Sequence, residues 1–341
     1  MSTPIPPKAV LVVCVRYLGD TLLLRPVFHA LHQAFPEARL DALVTAGTSC
    51  ALDDCPGVNR VIEWPRQAPF KEMLLLPRLA LGGYTWVFDF TGNDRSALAC
   101  MATLAPLRVA YDRPKMSKWA LRRVAYNLKP RHKKQKPHTL IQRLELLEAC
   151  GVTASEYDFA LHPRSDALAW AQEAIAGLPS QWIHAHVTSR DMQKALPPSV
   201  VKRVLSDLLS RGHGVVLTSG PAEVETQHLA ACTEGLPMDR IRTFSHADWH
   251  QLVALISLAK KYWGSDTAPA HIAAALRKPM LIHYGPSRAD HWRPLHPEGH
   301  ADIRSCTCLK EKKVLCPKGK TGRCLEDISP TAVVDWFESG Q

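Results

Sequence analysis

No run in this sequence approaches the roughly 20 consecutive apolar residues that a membrane-spanning helix needs. The leading stretch, MSTPIPPKAVLVVCVRYLGD, has a short apolar part, a proline-rich start and no small-residue cleavage site. It does not read as a secretory signal, and a cytoplasmic protein is expected. No low-complexity tract is present, so a folded globular chain is expected. No G-x-G-x-x-G follows the first apolar run, which argues against a dinucleotide-dependent oxidoreductase. No zinc finger, RNP motif or aromatic-interleaved groove supports a nucleic-acid binder. Paired C-x2-C spacing is missing too. Of ten cysteines, six (Cys14, Cys50, Cys55, Cys100, Cys150, Cys232) are scattered, so a disulfide framework is not expected.

What is present is a chain of 341 residues with 46% hydrophobic content, too long for one ordinary core and suited to two domains. Its formal net charge is +10, which favours anionic partners: nucleic acid, an anionic membrane surface or a phosphorylated substrate. The excess is uneven. From Arg113 to Arg143 there are eleven Lys or Arg and no Asp or Glu, interleaved with Trp119, Leu121, Val124, Tyr126 and Leu128. That stretch reads equally as a solvated basic face or as a contact for a negatively charged ligand.

Short β-branched runs alternate with helical patterns. AVLVVCV (9–15) reads as a buried strand, with a helix over 21–35 after it. Strands follow at 39–45, 60–64, 85–90 and 107–111. The array then restarts: strand 182–187, helix 198–211, strand 214–220, helix 221–232, helix 248–262, a strand-like run ending at 262–266, helix 269–276, strand 279–285 and a last helix near 329–338. Alternation of this kind implies parallel sheets with right-handed crossovers. The expected division is 1–165, 166–325 and a closing helix in 326–341 that packs back towards the first domain. Ligands of open α/β sheets sit at the carboxyl ends of the strands, so the residues just after strands are the candidates.

One is Asp20, in the Gly19-Asp20 join between the first strand and the first helix; it either caps that helix or does chemistry. The loop HVTSRDMQK supplies Thr188, Ser189, Arg190 and Lys194, hydroxyls and cations that suit a diphosphate or simply make a polar loop. In LTSGPAEVE, Glu223 or Glu225 can accept ribose hydroxyls or cap a helix. In GSDTAPAHIAAAL, Asp266 or Thr267 can cap the helix entered through Pro269, whose free N–H groups can hold a phosphate, and His271 follows on it. Near the C-terminus Cys306, Cys308, Cys316 and Cys324 form C-x-C-x7-C-x7-C, either a structural zinc site or free thiols.

The segments VRYLGDTLLLRPVFHAL, HVTSRDMQK, LTSGPAE, GSDTAPAHIAAAL and HYGPSRADHWRP, in this order, resemble the lipopolysaccharide heptosyltransferases, the ADP-heptose-using glycosyltransferase family 9, from Val10 to about Trp336. The TSR-plus-Lys loop and the GPS…HW.P segment are most similar to the heptosyltransferase III branch. The resemblance implies a GT-B fold, two Rossmann-like doubly wound domains facing a central cleft, and inversion at the anomeric carbon. It implies ADP-heptose as donor, inner-core lipopolysaccharide with its Kdo carboxylates and phosphates as acceptor, no required cofactor or metal, and a peripheral position at the inner face of the inner membrane. By the family motif Asp20 is the general base; Thr188, Ser189, Arg190 and Lys194 meet the diphosphate; Glu223, or else Glu225, meets the ribose; Asp266, Thr267, Ala268 and His271 complete the donor site. Ala268 stands where many relatives have Gly. Arg113, Lys115, Lys118, Arg122 and Arg123 are expected to position the anionic acceptor. The alternatives are a GT-B enzyme for another nucleotide sugar and, in a different class, a basic nucleic-acid-binding protein.

Overall fold

Six apolar residues in a row, AVLVVC, have no polar face to show to water, and they become strand β1 (Ala9–Cys14), buried along its whole length. The computed structural model describes residues 5–66, 69–112, 121–131, 138–154, 160–285, 287–295, 301–305 and 323–339. The chain divides into two compact units, Met1–Phe159 and Ala160–Gln341.

In the first unit β1 is followed by α1 (Leu18–Leu22), α2 (Arg25–Ala34), β2 (Arg39–Thr45), β3 (Val58–Trp64), α3 (Pro69–Ala80), β4 (Trp86–Asp89), α4 (Asp94–Ala102), β5 (Leu107–Val109), α5 (Arg122–Ala125) and α6 (Thr139–Glu148). The sheet is wholly parallel, in the order β3-β2-β1-β4-β5. The connections out of β1 and out of β3 run in opposite directions across it. Right-handed crossovers therefore put α2 on one face and α3 and α4 on the other. Leu11 and Val13 of β1 share a core with Leu75 and Leu79 of α3, Ala97 and Cys100 of α4, and Ala125 of α5.

The expected helix over 21–35 is broken in two. It starts earlier, at Leu18, and stops at Leu22 because Pro26 lacks an N–H and suits only a first turn, so a new helix begins at Arg25.

The second unit runs α7 (Ser165–Ala174), β6 (Trp182–His186), α8 (Pro198–Ser210), β7 (Gly214–Thr218), α9 (Glu223–Thr233), β8 (Ile241–Phe244), α10 (Trp249–Leu258), β9 (Lys261–Ser265), α11 (Ala268–Ala275), β10 (Met280–Tyr284), α12 (Ala289–Trp292), β11 (Ala301–Ser305) and α13 (Pro330–Glu338). Its parallel sheet has the order β11-β10-β9-β6-β7-β8.

One expectation is corrected here. The helix over 248–262 ends at Leu258, and Lys261 and Tyr262 belong to β9, where pairing with β6 and β10 overrides the helical pattern. Val333, Val334 and Phe337 of α13 are buried in the second unit's own core, packed on α8. A buried ammonium secures it: Lys261 of β9 donates to the carbonyl oxygens of Trp336 (2.7 Å) and Ser339 (2.8 Å) and lies 4.9 Å from the Trp336 ring centroid. These are the last carbonyls of a helix, which otherwise lack partners. Burial holds the Lys261 pKa below its ordinary value.

Candidate active site

Each sheet reverses its winding once, between β1 and β4 in the first unit and between β6 and β9 in the second. At such a reversal the two adjacent crossovers leave on opposite faces and open a crevice beyond the strand ends. Asp20 follows β1, Thr188 to Lys194 follow β6, and Asp266 follows β9, so the sequence candidates fall at the two reversal points.

Asp20 lies in the first turn of α1, whose N-cap is Tyr17, so it does not cap a helix over 21–35. It is buried, and Arg143 of α6 reaches it across the fold. The guanidinium donates from Nη2 to Asp20 Oδ1 (2.9 Å) and from Nη1 to the Asp20 carbonyl oxygen (2.5 Å). Its carbon lies 5.8 Å from the Phe90 ring centroid. Beside it the thiol of Cys14 is pushed up to about 12 by burial, so it stays neutral, and its sulfur takes a long contact of 3.8 Å from Arg143 Nη2. Asp20 Oδ2 accepts no hydrogen bond among the described residues.

The contrast with Asp89, at the end of β4, is informative. Its Oδ1 accepts from the N–H groups of Thr91 (2.7 Å) and Gly92 (3.1 Å), and its Oδ2 from the hydroxyls of Ser96 (2.6 Å) and Tyr126 (2.5 Å). Asp89 is saturated and structural; Asp20 is anchored by one oxygen and open at the other.

In the second unit Lys194 donates from Nζ to Asp266 Oδ2 at 2.9 Å, joining the loop after β6 to the loop after β9. Arg190 is exposed and makes no ion pair among the described residues. Thr267 is the N-cap of α11 but gives it no side-chain hydrogen bond, and Pro269 has no N–H to satisfy. Neither Asp266 nor Thr267 gives this helix a side-chain cap; the Ala270 N–H is taken by the Thr267 carbonyl (3.1 Å), and the Ala268 N–H has no partner among the described residues and is open to an anion. Ala268 opens that helix, and His271 is buried within it.

Ser189 is buried, its hydroxyl accepting from the Asp191 N–H at 3.2 Å. The Thr188 hydroxyl donates to buried Glu225 Oε1 at 3.3 Å. Glu225 also lies under the backbone of Gly220, where any Cβ would collide with its carboxylate. It therefore ties the loops after β6 and β7 together. Glu223 sits exposed at the start of α9, one oxygen accepting from Gln227 at 2.9 Å.

Under these loops runs a buried polar chain that sequence reasoning missed. His186 Nδ1 lies 2.9 Å from Thr218 Oγ1, which lies 3.3 Å from His184 Nε2. Burial lowers both imidazoles, His186 to about 4, so both are neutral at pH 7. Arg143 was also missed. Its partner is far away in the chain, and only its place among the buried positions of α6 signals it.

Of the expected acceptor residues, Arg122 is tied to Asp94 Oδ1 (3.1 Å) and the Gly92 carbonyl oxygen (3.1 Å), while Arg123 is exposed. Arg113, Lys115 and Lys118 lie outside the described residues, as do Cys306, Cys308 and Cys316; Cys324 is half-buried against the second unit's core.

The family model of glycosyltransferase family 9 (heptosyltransferase) matches residues 75–321, well over half of the chain. Among curated proteins, lipopolysaccharide heptosyltransferase 3 of Escherichia coli K12 is 26% identical over 291 residues, 82% of this chain and 83% of that one. Among solved structures, a family 9 glycosyltransferase from Veillonella parvula superposes with a TM-score of 0.81 at 18% identity, over 97% of this chain and 96% of that one. The E. coli heptosyltransferase WaaC, solved with ADP, gives a TM-score of 0.74 at 21% identity, over 97% of this chain and 99% of that one. The chain belongs to glycosyltransferase family 9, the heptosyltransferases, and is a glycosyltransferase of the GT-B fold class.

Proposed function

We propose that the chain transfers heptose from ADP-heptose to the inner core of lipopolysaccharide, with inversion, and with Asp20 as general base. The observation that carries this reading is a buried carboxylate after β1 that is fixed through Oδ1 by Arg143 and, among the described residues, unbonded at Oδ2. Oδ2 takes the proton of the acceptor hydroxyl as that oxygen attacks the anomeric carbon. The bond from that carbon to the diphosphate breaks on the opposite face, so the configuration inverts and ADP leaves. Arg143, with its planar fork, keeps the carboxylate from rotating.

Charge that develops on the leaving diphosphate is met by Lys194, by Arg190 and by the open N–H groups of Thr267 and Ala268. Asp266 holds the Lys194 ammonium in place. Glu223 is the ribose contact in this reading, because Glu225 is engaged by Thr188. Ser189 and His271 line the donor site, and the step is assigned to cations of the chain itself rather than to a metal. Arg123, with Arg122 and the other basic residues from Arg113 to Lys118, meets the anionic acceptor at the inner face of the inner membrane. The similarity to heptosyltransferase 3, together with the TSR and GPS…HW.P segments, supports a heptosyltransferase III type of acceptor.

A panel of sugar nucleotides in thermal shift, followed by turnover on truncated core acceptors, tests the reading. ADP-heptose is expected to raise the Tm most, because it binds only the folded state. A larger shift with another nucleotide sugar, or retention on RNA without any sugar-nucleotide shift, overturns it.

A further inference from the structure

α3 is apolar on both sides. At about 100° per residue, Leu75, Leu76 and Leu79 turn inward, and Leu75 and Leu79 are buried against the sheet. The opposite side carries Phe70 (73% exposed), Met73 (67%), Leu74 (56%) and, just past the last turn, Leu81 (88%). A surface helix ordinarily turns a polar face outward. The neighbouring helices extend the patch: α4 packs on α3 and α5 on α4, and Leu98, Leu104 and Val124 are exposed there. These seven side chains are most of the twelve large apolar residues exposed among the described residues. Leu104 is also in the left-handed region (φ 55), a conformation glycine would adopt freely. Strain and exposure thus fall on one leucine.

The charges of this layer have one sign to spare. Its two acids are already answered, Glu72 by Arg95 (3.2 Å) and Asp94 by Arg122 (3.1 Å). Lys71 and Arg78 flank the apolar stripe of α3, Arg123 stands on α5, and none of them has an ion-pair partner among the described residues. A second copy docked through the same face would set these cations against each other. An anionic lipid surface satisfies both features, with acyl chains for the leucines and phosphates for the cations.

We propose that the outward face of α3, with Leu98, Leu104 and Val124 beside it, is the surface by which the chain sits on an anionic lipid bilayer. It deepens the reading above by assigning the contact that brings the chain to a lipid-anchored acceptor. The surface itself needs neither donor nor acceptor.

Full-length protein is sedimented with vesicles of phosphatidylethanolamine and phosphatidylglycerol, and with vesicles of phosphatidylcholine alone, in the absence of sugar nucleotide. Binding to the anionic vesicles is expected to exceed binding to the neutral ones. Leu74→Ser with Leu81→Ser is expected to lower it about tenfold, from the loss of two inserted apolar side chains. Lys71→Glu with Arg78→Glu is expected to lower it about tenfold and to remove its salt dependence. All four side chains are exposed, so both variants keep the wild-type Tm and turnover on a lipid-free acceptor. Wild-type binding by the leucine variant overturns the proposal. So does a wild-type protein that ignores anionic vesicles and forms dimers that the leucine variant abolishes. Absence of turnover with every nucleotide sugar would sink the functional reading and leave the vesicle result intact.

Discussion

The two units each hold a carboxylate–cation pair at the reversal point of their sheet, and the pairs are built differently. In the first unit both partners are sealed, with Arg143 and Asp20 side chains 4% and 8% exposed. In the second unit Asp266 is equally sealed at 8%, but Lys194 is 30% exposed. Arginine offers a rigid fork that holds a carboxylate at a set angle; lysine is a point charge on a flexible stem that can turn to a new partner. In the proposed reaction the carboxylate of the first pair is the working group and the cation its clamp. In the second, on the same proposal, the carboxylate is the clamp, and the partly exposed cation is the group that meets an incoming phosphate.

That division of labour can be broken one residue at a time. Asp20→Asn keeps the shape and removes the base. The kcat is expected to fall by about three orders of magnitude with donor Kd unchanged, read by single-turnover kinetics and calorimetry. Lys194→Ala should do the reverse, raising donor Kd by about a hundredfold while a folded protein remains; the loss is that of a charge-assisted contact to phosphate. If Lys194→Ala left donor affinity intact, the second pair would be merely structural.

Arg143→Ala strands Asp20 without its cation and should cost about 3–5 kcal/mol of stability, visible as a lower Tm. Arg143→Lys should recover most of that Tm yet only part of the kcat, because the fork is gone. Equal recovery of both would deny the clamp its geometric role.

The last effect concerns pH. His186 titrates near 4 when folded against an ordinary 6.5, so the unfolded chain binds the proton first as pH falls. Stability from this residue is full above about 6.5 and is lost progressively down to about 4, by about 3 kcal/mol at the acid end. The slope of Tm against pH in that window should be shallower in His186→Asn.

Strands were the most legible part of the sequence. RLDALVT reads as β2 residue for residue, because an apolar run between turn residues has few other uses. The helix over 21–35 and the helix over 248–262 were read too long, since periodicity alone does not feel Pro26 or the pull of β6 and β10 on Lys261 to Ser265. Asp20 and Lys194 were legible because they follow strands. Arg143 was not singled out, although it sits among Thr139, Leu140, Leu144 and Leu147 on the buried side of α6, where a cation needs a partner. The partner of the Thr188 hydroxyl, Glu225, was not legible because it is brought to the loop only when α9 folds against it. The doubly apolar pattern of α3 was written in the spacing of Phe70, Met73, Leu74 and Leu81, and went unread.

Lys261 has a consequence for the order in which the molecule can be made. The Asp20–Arg143 pair is complete once residue 143 has left the ribosome. Lys261 must wait for Trp336 and Ser339 before its ammonium is answered. Until then β9 carries a bare charge, and Asp266, the next residue after that strand, has no settled base to stand on. Nascent chains halted during translation before α13 would carry a finished first half and an unusable second one.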